Sequence, residues 1–202
     1  MPLKISQNKT VKYSKHFTLS ERNDVSKITV ICGPMFSGKT KGLINEIATH
    51  REQNKTVIVF KPLLDNRYSD NEVVSHDKDK VEARNIEEPV EMLQFIDDVD
   101  VIAIDEAQFF NDSIVDVVED IAAMGKDVIL AGLDLDYRAE PFGPMPMLLG
   151  KADVVKKLHS VCTFCSAPAK YTHRISEDGE LVLLGEKDKY VPLCRTCYKE
   201  LT

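Results

Sequence analysis

Short runs of apolar, often β-branched residues alternate with amphipathic segments along most of the chain. This alternation is typical of parallel β-strands that are joined by helices. Four runs predict strands, with the sequences KITVIC, KTVIVFK, VDVIAID and KDVILAGLD, and a fifth strand is predicted near DVVKKLHSV. The pattern therefore predicts an α/β fold built on a parallel sheet.

Helices are predicted after the first and third of these strands. One covers residues 40 to about 53, where apolar positions recur at helical spacing on one face. The other covers residues 113–124 and ends at Gly125, a residue type that is common just after a helix. A shorter helix is predicted near residues 90–96. From Cys162 onward, turns and cysteines replace this pattern, and a hairpin is predicted around SEDGE.

The chain is therefore expected to have three parts. Residues 1–26 are predicted to be a disordered polar tail, residues 27–160 the α/β domain, and residues 161–202 a small cysteine-bearing domain. The tail lacks the apolar core of a signal peptide, and no window approaches the 18 or more apolar residues of a membrane span. We expect a cytoplasmic protein; a transit peptide is less favoured, because such segments prefer Arg to Lys.

The net charge of −7 over 202 residues argues against nucleic acid as the main partner. Neutralising a phosphate backbone requires clustered Lys and Arg, although local basic patches remain open.

Four of the five cysteines form two C-x-x-C pairs, which agrees with a reducing compartment. Two close thiolate pairs suit a tetrahedral Zn²⁺ ion with no open position, so a structural zinc site is predicted, with a redox pair as the alternative. The predicted ligands are Cys162, Cys165, Cys194 and Cys197. We interpret the fifth cysteine, Cys32, as a small buried core residue.

The segment GPMFSGKT, residues 33–40, matches the pattern G-x-x-x-x-G-K-[ST] between a predicted strand and a predicted helix. In this setting the pattern binds the phosphates of a nucleotide. Backbone N–H groups and Lys39 are expected to contact the phosphates, and the Thr40 hydroxyl to bind Mg²⁺. The predicted nucleotide-binding residues are Gly33, Pro34, Met35, Phe36, Ser37, Gly38, Lys39 and Thr40.

Two carboxylates follow the apolar run VDVIAI. Asp105 is predicted to complete the magnesium site, and Glu106 to take a proton from the hydroxyl that attacks the γ-phosphorus. If that hydroxyl belongs to water the protein is an ATPase, and if it belongs to an alcohol the protein is a kinase. These motifs alone do not separate the two.

An aromatic-rich segment, GLDLDYRAEPFGPMPMLLG, follows the fourth strand at the sheet edge where ligands of α/β folds bind. Leu133, Tyr137 and Phe142 are expected to line an apolar slot for a flat base, with ordinary core and turn packing as the alternative. The large residues Met35 and Phe36 either face this slot or pack on the sheet.

Six motifs, in order along residues 27–198, give a more specific resemblance. The chain resembles the type II, or cellular-type, thymidine kinase family through GPMFSGKT, DNRYSD with SHD, IDEAQFF, GLDLDYRAEPFG, the paired C-x-x-C elements and GEKDKYVPLCRTCY. The resemblance implies a P-loop (RecA-like) parallel sheet with flanking helices, plus a small C-terminal zinc-binding domain with a lasso-like loop.

The family's activity is transfer of the γ-phosphoryl group of ATP to the 5′-hydroxyl of thymidine or deoxyuridine, in pyrimidine deoxynucleotide salvage. The resemblance implies Glu106 as the proton acceptor, with Lys39 also in the reaction and Gln108 on the nucleotide. It implies a homotetramer and feedback inhibition by dTTP. Substrate-binding positions implied by the resemblance or by the apolar slot are Met35, Asp65, Arg67, Leu133, Tyr137, Phe142, Thr172, Arg174, Leu181, Val182, Leu183, Leu184, Gly185 and Tyr190.

The chain departs from the family at Glu186 and at Tyr137. The family often has two glycines where this chain has Gly185 and Glu186, and often Phe at the position of Tyr137.

A nucleic-acid-dependent ATPase with a zinc ribbon is the rival interpretation, supported by the Asp-Glu pair and by Lys156 and Lys157. A regulatory module that binds nucleotide without turnover is a third.

Overall fold

The structure is a computed structural model that describes residues 25–63, 72–74, 80–175 and 189–202. In chain order its strands are β1 (Ile28–Cys32), β2 (Val57–Pro62), β3 (Glu72–Val74), β4 (Lys80–Glu82), β5 (Arg84–Ile86), β6 (Val101–Ile104), β7 (Asp127–Gly132), β8 (Val154–Lys157), β9 (Ser160–Val161), β10 (Pro168–Ala169), β11 (Tyr171–Arg174) and β12 (Tyr190–Leu193). The α-helices are α1 (Lys39–Glu52), α2 (Ile114–Ala123), α3 (Met145–Lys151) and α4 (Arg195–Leu201).

Six strands form one parallel sheet in the order β5-β2-β6-β7-β1-β8. The predicted α/β fold is thereby confirmed, as are all five predicted strands and the helices after the first and third of them. The segment predicted as a helix near residues 90–96 is a 3₁₀ helix, Pro89–Gln94, which opens with a capping box between Glu88 and Glu91. The strand β5 was not predicted, because three residues with an exposed Arg84 at the edge carry little strand pattern.

Apolar side chains fill both faces of the sheet. On one face, Cys32 and its neighbours pack against α2 and α3, and Cys32 is fully buried, as predicted. On the other face, Ile31 and the strands beside it pack against Leu43 and Ile47 of α1. Because every residue of the central strand β6 is buried, this part is a three-layer α/β/α arrangement whose strand ends define a single edge for ligands.

The C-terminal region has a small core of its own, formed by Ala169, Leu193 and three cysteines. Two antiparallel pairs, β9 with β10 and β11 with β12, surround it together with α4. The boundary between residues 160 and 161 stays a prediction. The predicted tail, apart from residues 25 and 26, and the predicted SEDGE hairpin lie outside the described residues. Within the described ranges, no helix is both long enough and apolar enough to cross a membrane.

Candidate active site

The phosphate loop joins the end of β1 to the start of α1, which begins at Lys39. Phe36 and Gly38 have left-handed backbones, with φ of 61° and 84°, so the chain turns sharply before the helix. The first N–H groups of α1 have no partner within the helix, and the helix dipole adds positive potential there. The loop therefore has the backbone arrangement that attracts phosphate.

Contacts from the C-terminal region hold this loop in place. Met35 N–H donates to Thr172 Oγ1 at 3.0 Å, and Ser160 Oγ donates to the Phe36 carbonyl at 3.1 Å. Within the loop, Lys39 Nζ donates to the Pro34 carbonyl at 2.9 Å. The shape of the phosphate loop consequently depends on residues more than 120 positions away along the chain.

A charged cluster lies beside the loop at the carboxyl end of β6. Thr40 Oγ1 donates a hydrogen bond to Asp105 Oδ2 at 3.3 Å. Burial and the neighbouring Glu106 carboxylate raise the pKa of Asp105 to about 7. Burial lowers the pKa of Lys39, while Glu106 and Asp105 oppose that shift. Two carboxylates thus face one ammonium group, and the Asp105 carboxylate is buried.

This donor set fits a divalent cation. Two carboxylates with one Lys leave excess negative charge, which a hard cation would neutralise. Neighbouring ligands of an octahedral Mg²⁺ ion lie about 3 Å apart, close to the spacing between Thr40 Oγ1 and Asp105 Oδ2.

Glu106 adopts a left-handed backbone conformation, with φ 53° and ψ 39°, that non-glycine residues rarely adopt. Its N–H donates to Asp105 Oδ1 at 3.0 Å, and the short 3₁₀ helix Ala107–Phe109 follows. Such strain persists where the surrounding structure enforces it, and it is concentrated at functional sites. The turn brings both carboxylates to the same edge of the sheet.

Residues 133–144 connect β7 to α3 and form a tight loop next to this cluster, which we call the aromatic loop. Asp136 Oδ1 accepts hydrogen bonds from the N–H groups of Arg138 and Glu140, at 2.8 and 3.0 Å, which fixes the turn that carries Tyr137. Phe142 packs edge-to-face on Phe109, with 5.5 Å between the ring centroids. The aromatic loop is therefore held against the short helix that follows Glu106.

Three residues from different elements meet at Tyr137. The Arg174 guanidinium lies 3.9 Å from the Tyr137 ring centroid, and it donates from Nη2 to the Tyr190 hydroxyl at 2.8 Å. Tyr198 donates from its hydroxyl to the Tyr137 carbonyl at 3.1 Å. The structure thus brings the predicted residues Tyr137, Arg174 and Tyr190 together through cation–π contact and hydrogen bonding.

The four predicted zinc ligands also meet. Their Sγ atoms all lie within 4.8 Å of one another. A tetrahedral Zn–S distance of about 2.3 Å places sulfur atoms about 3.8 Å apart, so the cluster suits one ion. None of the five cysteines, all of which lie in the described ranges, forms a disulfide.

Comparison with known proteins decides among the chemistries that this site permits. A family model described as thymidine kinase matches residues 26–198. This chain belongs to the thymidine kinase family. The match confirms the resemblance found in the sequence, and it favours a phosphotransferase over the rival nucleic-acid-dependent ATPase.

The match to curated relatives extends over nearly the whole length of each relative. The chain is 44% identical over 180 residues to a thymidine kinase of Bacteroides thetaiotaomicron, covering 89% of this chain and 90% of the relative. It is 45% identical over 173 residues to one from Porphyromonas gingivalis, covering 86% and 85%. It is 42% identical over 181 residues to one from Rhodothermus sp., covering 90% and 85%.

Some family positions cannot be located at this site. Asp65, Arg67, Leu181, Val182, Leu183, Leu184 and Gly185 lie outside the described residues. Of the other family positions, Thr172 contacts the phosphate loop, and Gln108 contacts Glu106 and Leu133.

Sequence reasoning missed Asp134, which lies at the carboxyl end of β7. Its side chain is 5% exposed and forms an ion pair with Lys157 at 2.8 Å, and its charge opposes the lowering of the Lys39 pKa by burial. The first acidic residue in GLDLD was a visible signal in the sequence, but its pairing with a lysine on the fifth predicted strand was not. Lys156 pairs with Glu46, so the two lysines that supported the rival interpretation are each engaged within the chain.

Proposed function

We propose that this chain transfers the γ-phosphoryl group of ATP to the 5′-hydroxyl of thymidine, forming thymidine monophosphate and ADP for pyrimidine deoxynucleotide salvage. Family membership supports the reaction class and the acceptor. The observation that carries the proposal is the position of Glu106, which adjoins Asp105 and Gln108 between the phosphate loop and the aromatic loop.

On the donor side, residues 33–40 hold the triphosphate through backbone N–H groups. Lys39 exchanges its contact with the Pro34 carbonyl for the β- and γ-phosphates. Thr40 and Asp105 are the proposed ligands of Mg²⁺, which when bound neutralises charge on the phosphate oxygens. Burial of the site strengthens each of these interactions.

In the proposed reaction, the Glu106 carboxylate accepts the proton of the thymidine 5′-hydroxyl as its oxygen bonds to the γ-phosphorus. The bond from the γ-phosphorus to the bridging oxygen breaks, and ADP leaves with the electron pair. Lys39 stabilises the charge that develops on the transferred group. A poorly hydrated site favours the alcohol over water as the acceptor.

On the acceptor side, the proposed contacts of the base are Tyr137 and Phe142, supported by the fixed loop that carries them. Arg174 and Tyr190 complete this surface. Thr172 acts on the phosphate loop through Met35. Further proposed contacts are Leu133, Asp65, Arg67 and residues 181–185. Deoxyuridine lacks only the 5-methyl group, so we propose it as a second acceptor.

The cysteine cluster is proposed to hold one structural Zn²⁺ ion. All four ligands are protein thiolates, so no position remains for substrate. The ion would fix both ends of residues 166–193, and that segment is proposed to cover the base.

Assembly and regulation follow the family resemblance. We propose a cytoplasmic homotetramer that dTTP inhibits, because dTTP carries the same nucleoside as the acceptor and a triphosphate that extends toward the phosphate loop.

The proposal is tested by ADP release from MgATP with no acceptor and then with thymidine, deoxyuridine, deoxycytidine, deoxyadenosine or single-stranded DNA. We expect release only with thymidine and deoxyuridine, at kcat well above the rate without acceptor. Release that ignores nucleosides but rises with DNA, and falls steeply with salt, would support the ATPase instead.

A further inference from the structure

We infer that Gln108 is a positioning residue that holds the Glu106 carboxylate in the orientation from which it accepts the proton. The inference rests on the proposed function. Gln108 is only 2% exposed, and its Nε2 donates to Glu106 Oε2 at 2.6 Å. Hydrogen bonds to a carboxylate are short and stronger than neutral ones, so this contact restrains the Glu106 side chain.

The orientation of the Gln108 amide is fixed by its other end. Leu133 N–H donates to Gln108 Oε1 at 2.9 Å. A backbone N–H is a donor only, so the atom that it meets must be the amide oxygen. The NH₂ end must then face Glu106, where it can only donate to the carboxylate. Gln108 therefore links the end of β7 to Glu106, with its amide oxygen toward Leu133 and its NH₂ group toward Glu106.

Two glycines make room for this residue. A Cβ atom on Gly132 would lie 2.9 Å from Gln108 Oε1, and one on Gly143 would lie 2.3 Å from the Gln108 carbonyl oxygen. Both distances are shorter than side-chain carbons tolerate, and the second involves backbone that cannot move aside. The backbone at Gly132, the last residue of β7, and at Gly143 in the aromatic loop thus packs against Gln108 at a distance that only glycine permits.

Glu106 needs such a restraint because its own backbone is not part of a regular element. Its left-handed conformation lies in the turn between β6 and the three-residue 3₁₀ helix Ala107–Phe109. When Gln108 holds Oε2 of Glu106, Oε1 of Glu106 is left to accept the proton from the acceptor hydroxyl. Misplacement of a reacting group by about 1 Å costs about 100-fold in rate. Gln108 thereby contributes to catalysis through its contact with Glu106.

The test uses the full-length chain and two variants of matched size. Gln108→Met keeps the volume and removes both hydrogen bonds. Gln108→Glu keeps the acceptor for Leu133 N–H but replaces the donor by a carboxylate. Each is made in the wild type and in Glu106→Ala, which leaves no carboxylate to hold. The kcat and KM values for thymidine and ATP, and the midpoints of thermal unfolding, are measured for all six proteins.

We expect both Gln108 variants to lower kcat by about 10- to 100-fold with KM values changed by less than about 3-fold. In the Glu106→Ala background the same changes should alter the residual kcat by less than about 3-fold, and Gln108→Met should shift the unfolding midpoint less than in the wild type. Wild-type kcat in Gln108→Glu would overturn the inference, because the Leu133 contact alone would then suffice. Equal losses in both backgrounds would also overturn it.

Failure of the proposed function would look different. A wild-type chain that does not phosphorylate thymidine removes that proposal, whereas the unfolding midpoints report the Gln108–Glu106 coupling without any substrate. Additive midpoint shifts would overturn the inference whatever the acceptor is.

Discussion

Asp105 is buried beside Lys39 and Glu106, and its burial and the negative charge of Glu106 together raise its pKa. A carboxylate that is kept in such a place destabilises the fold when no cation is bound. A binding site for a cation explains why the carboxylate is kept there. The free energy of cation binding to the folded protein offsets this destabilisation. Stability and activity are therefore expected to respond in opposite directions to changes at Asp105.

The variant Asp105→Asn tests this opposition. Since the folded-state pKa of Asp105 is about 7, above the unfolded value near 4, the wild type loses stability as pH rises between these values. Without added magnesium, the variant should match the wild type below pH 4 and be more stable above pH 7, by up to about 4 kcal/mol. Its kcat should fall by at least about 100-fold. Denaturant unfolding from pH 4 to pH 8 checks the first claim, and a variant that is less stable at pH 8 would refute it.

The ion pairs of two neighbouring lysines, Lys157 with Asp134 and Lys156 with Glu46, differ in the burial of the carboxylate. Replacing Lys157 by Met leaves the Asp134 carboxylate buried without its ion-pair partner. We expect the free energy of unfolding to fall by about 2 kcal/mol. This loss is smaller than for a fully buried ion pair, because the Lys157 side chain is half-exposed. The matched control is Lys156→Met, whose partner Glu46 is more exposed, with a loss of about 0–1 kcal/mol. Equal losses in urea unfolding would contradict this account.

At the scale of elements, the site depends on contacts between the sheet and the C-terminal region. Strands β9 and β11 supply Ser160 and Thr172, which hold the backbone of the phosphate loop. Helix α4 supplies Tyr198, whose hydroxyl contacts the Tyr137 carbonyl. The cysteine cluster organises these same elements. A metal at the cluster would consequently affect both the donor and the acceptor side of the site without contacting either substrate.

Removal of one cysteine tests this consequence. In Cys194→Ser, the bound zinc should fall well below the roughly one ion per chain expected for the wild type, and kcat/KM for thymidine should fall at least about 10-fold. The parallel sheet should persist, as judged by far-UV circular dichroism. The control Cys32→Ala lies outside the cluster and should keep its zinc. Full activity in a zinc-free Cys194→Ser protein would contradict the structural role of the metal.

At the scale of the whole molecule, the sequence predicted those features that depend on local pattern. Apolar periodicity predicted the central strands, and the loop pattern placed Lys39 and Thr40 at a helix start. It could not predict contacts between distant segments, such as the ion pair of Asp134 with Lys157. Asp134 follows β7 and Lys157 ends β8, and β1 lies between these two strands in the sheet. Gln108 shows the same limit, because its role depends on Leu133, 25 positions away. Tertiary packing, not residue type, decides such pairings.

The carboxylate of Glu106 is proposed to direct the γ-phosphoryl group of ATP to thymidine. This role is tested by measuring ADP and thymidine monophosphate in parallel, from MgATP and thymidine, for the wild type and for Glu106→Gln. We expect equal amounts of the two products in the wild type and a loss of about 100-fold or more in kcat for the variant, with zinc content and fold unchanged. ADP without thymidine monophosphate in the wild type, or undiminished kcat in Glu106→Gln, would refute this role.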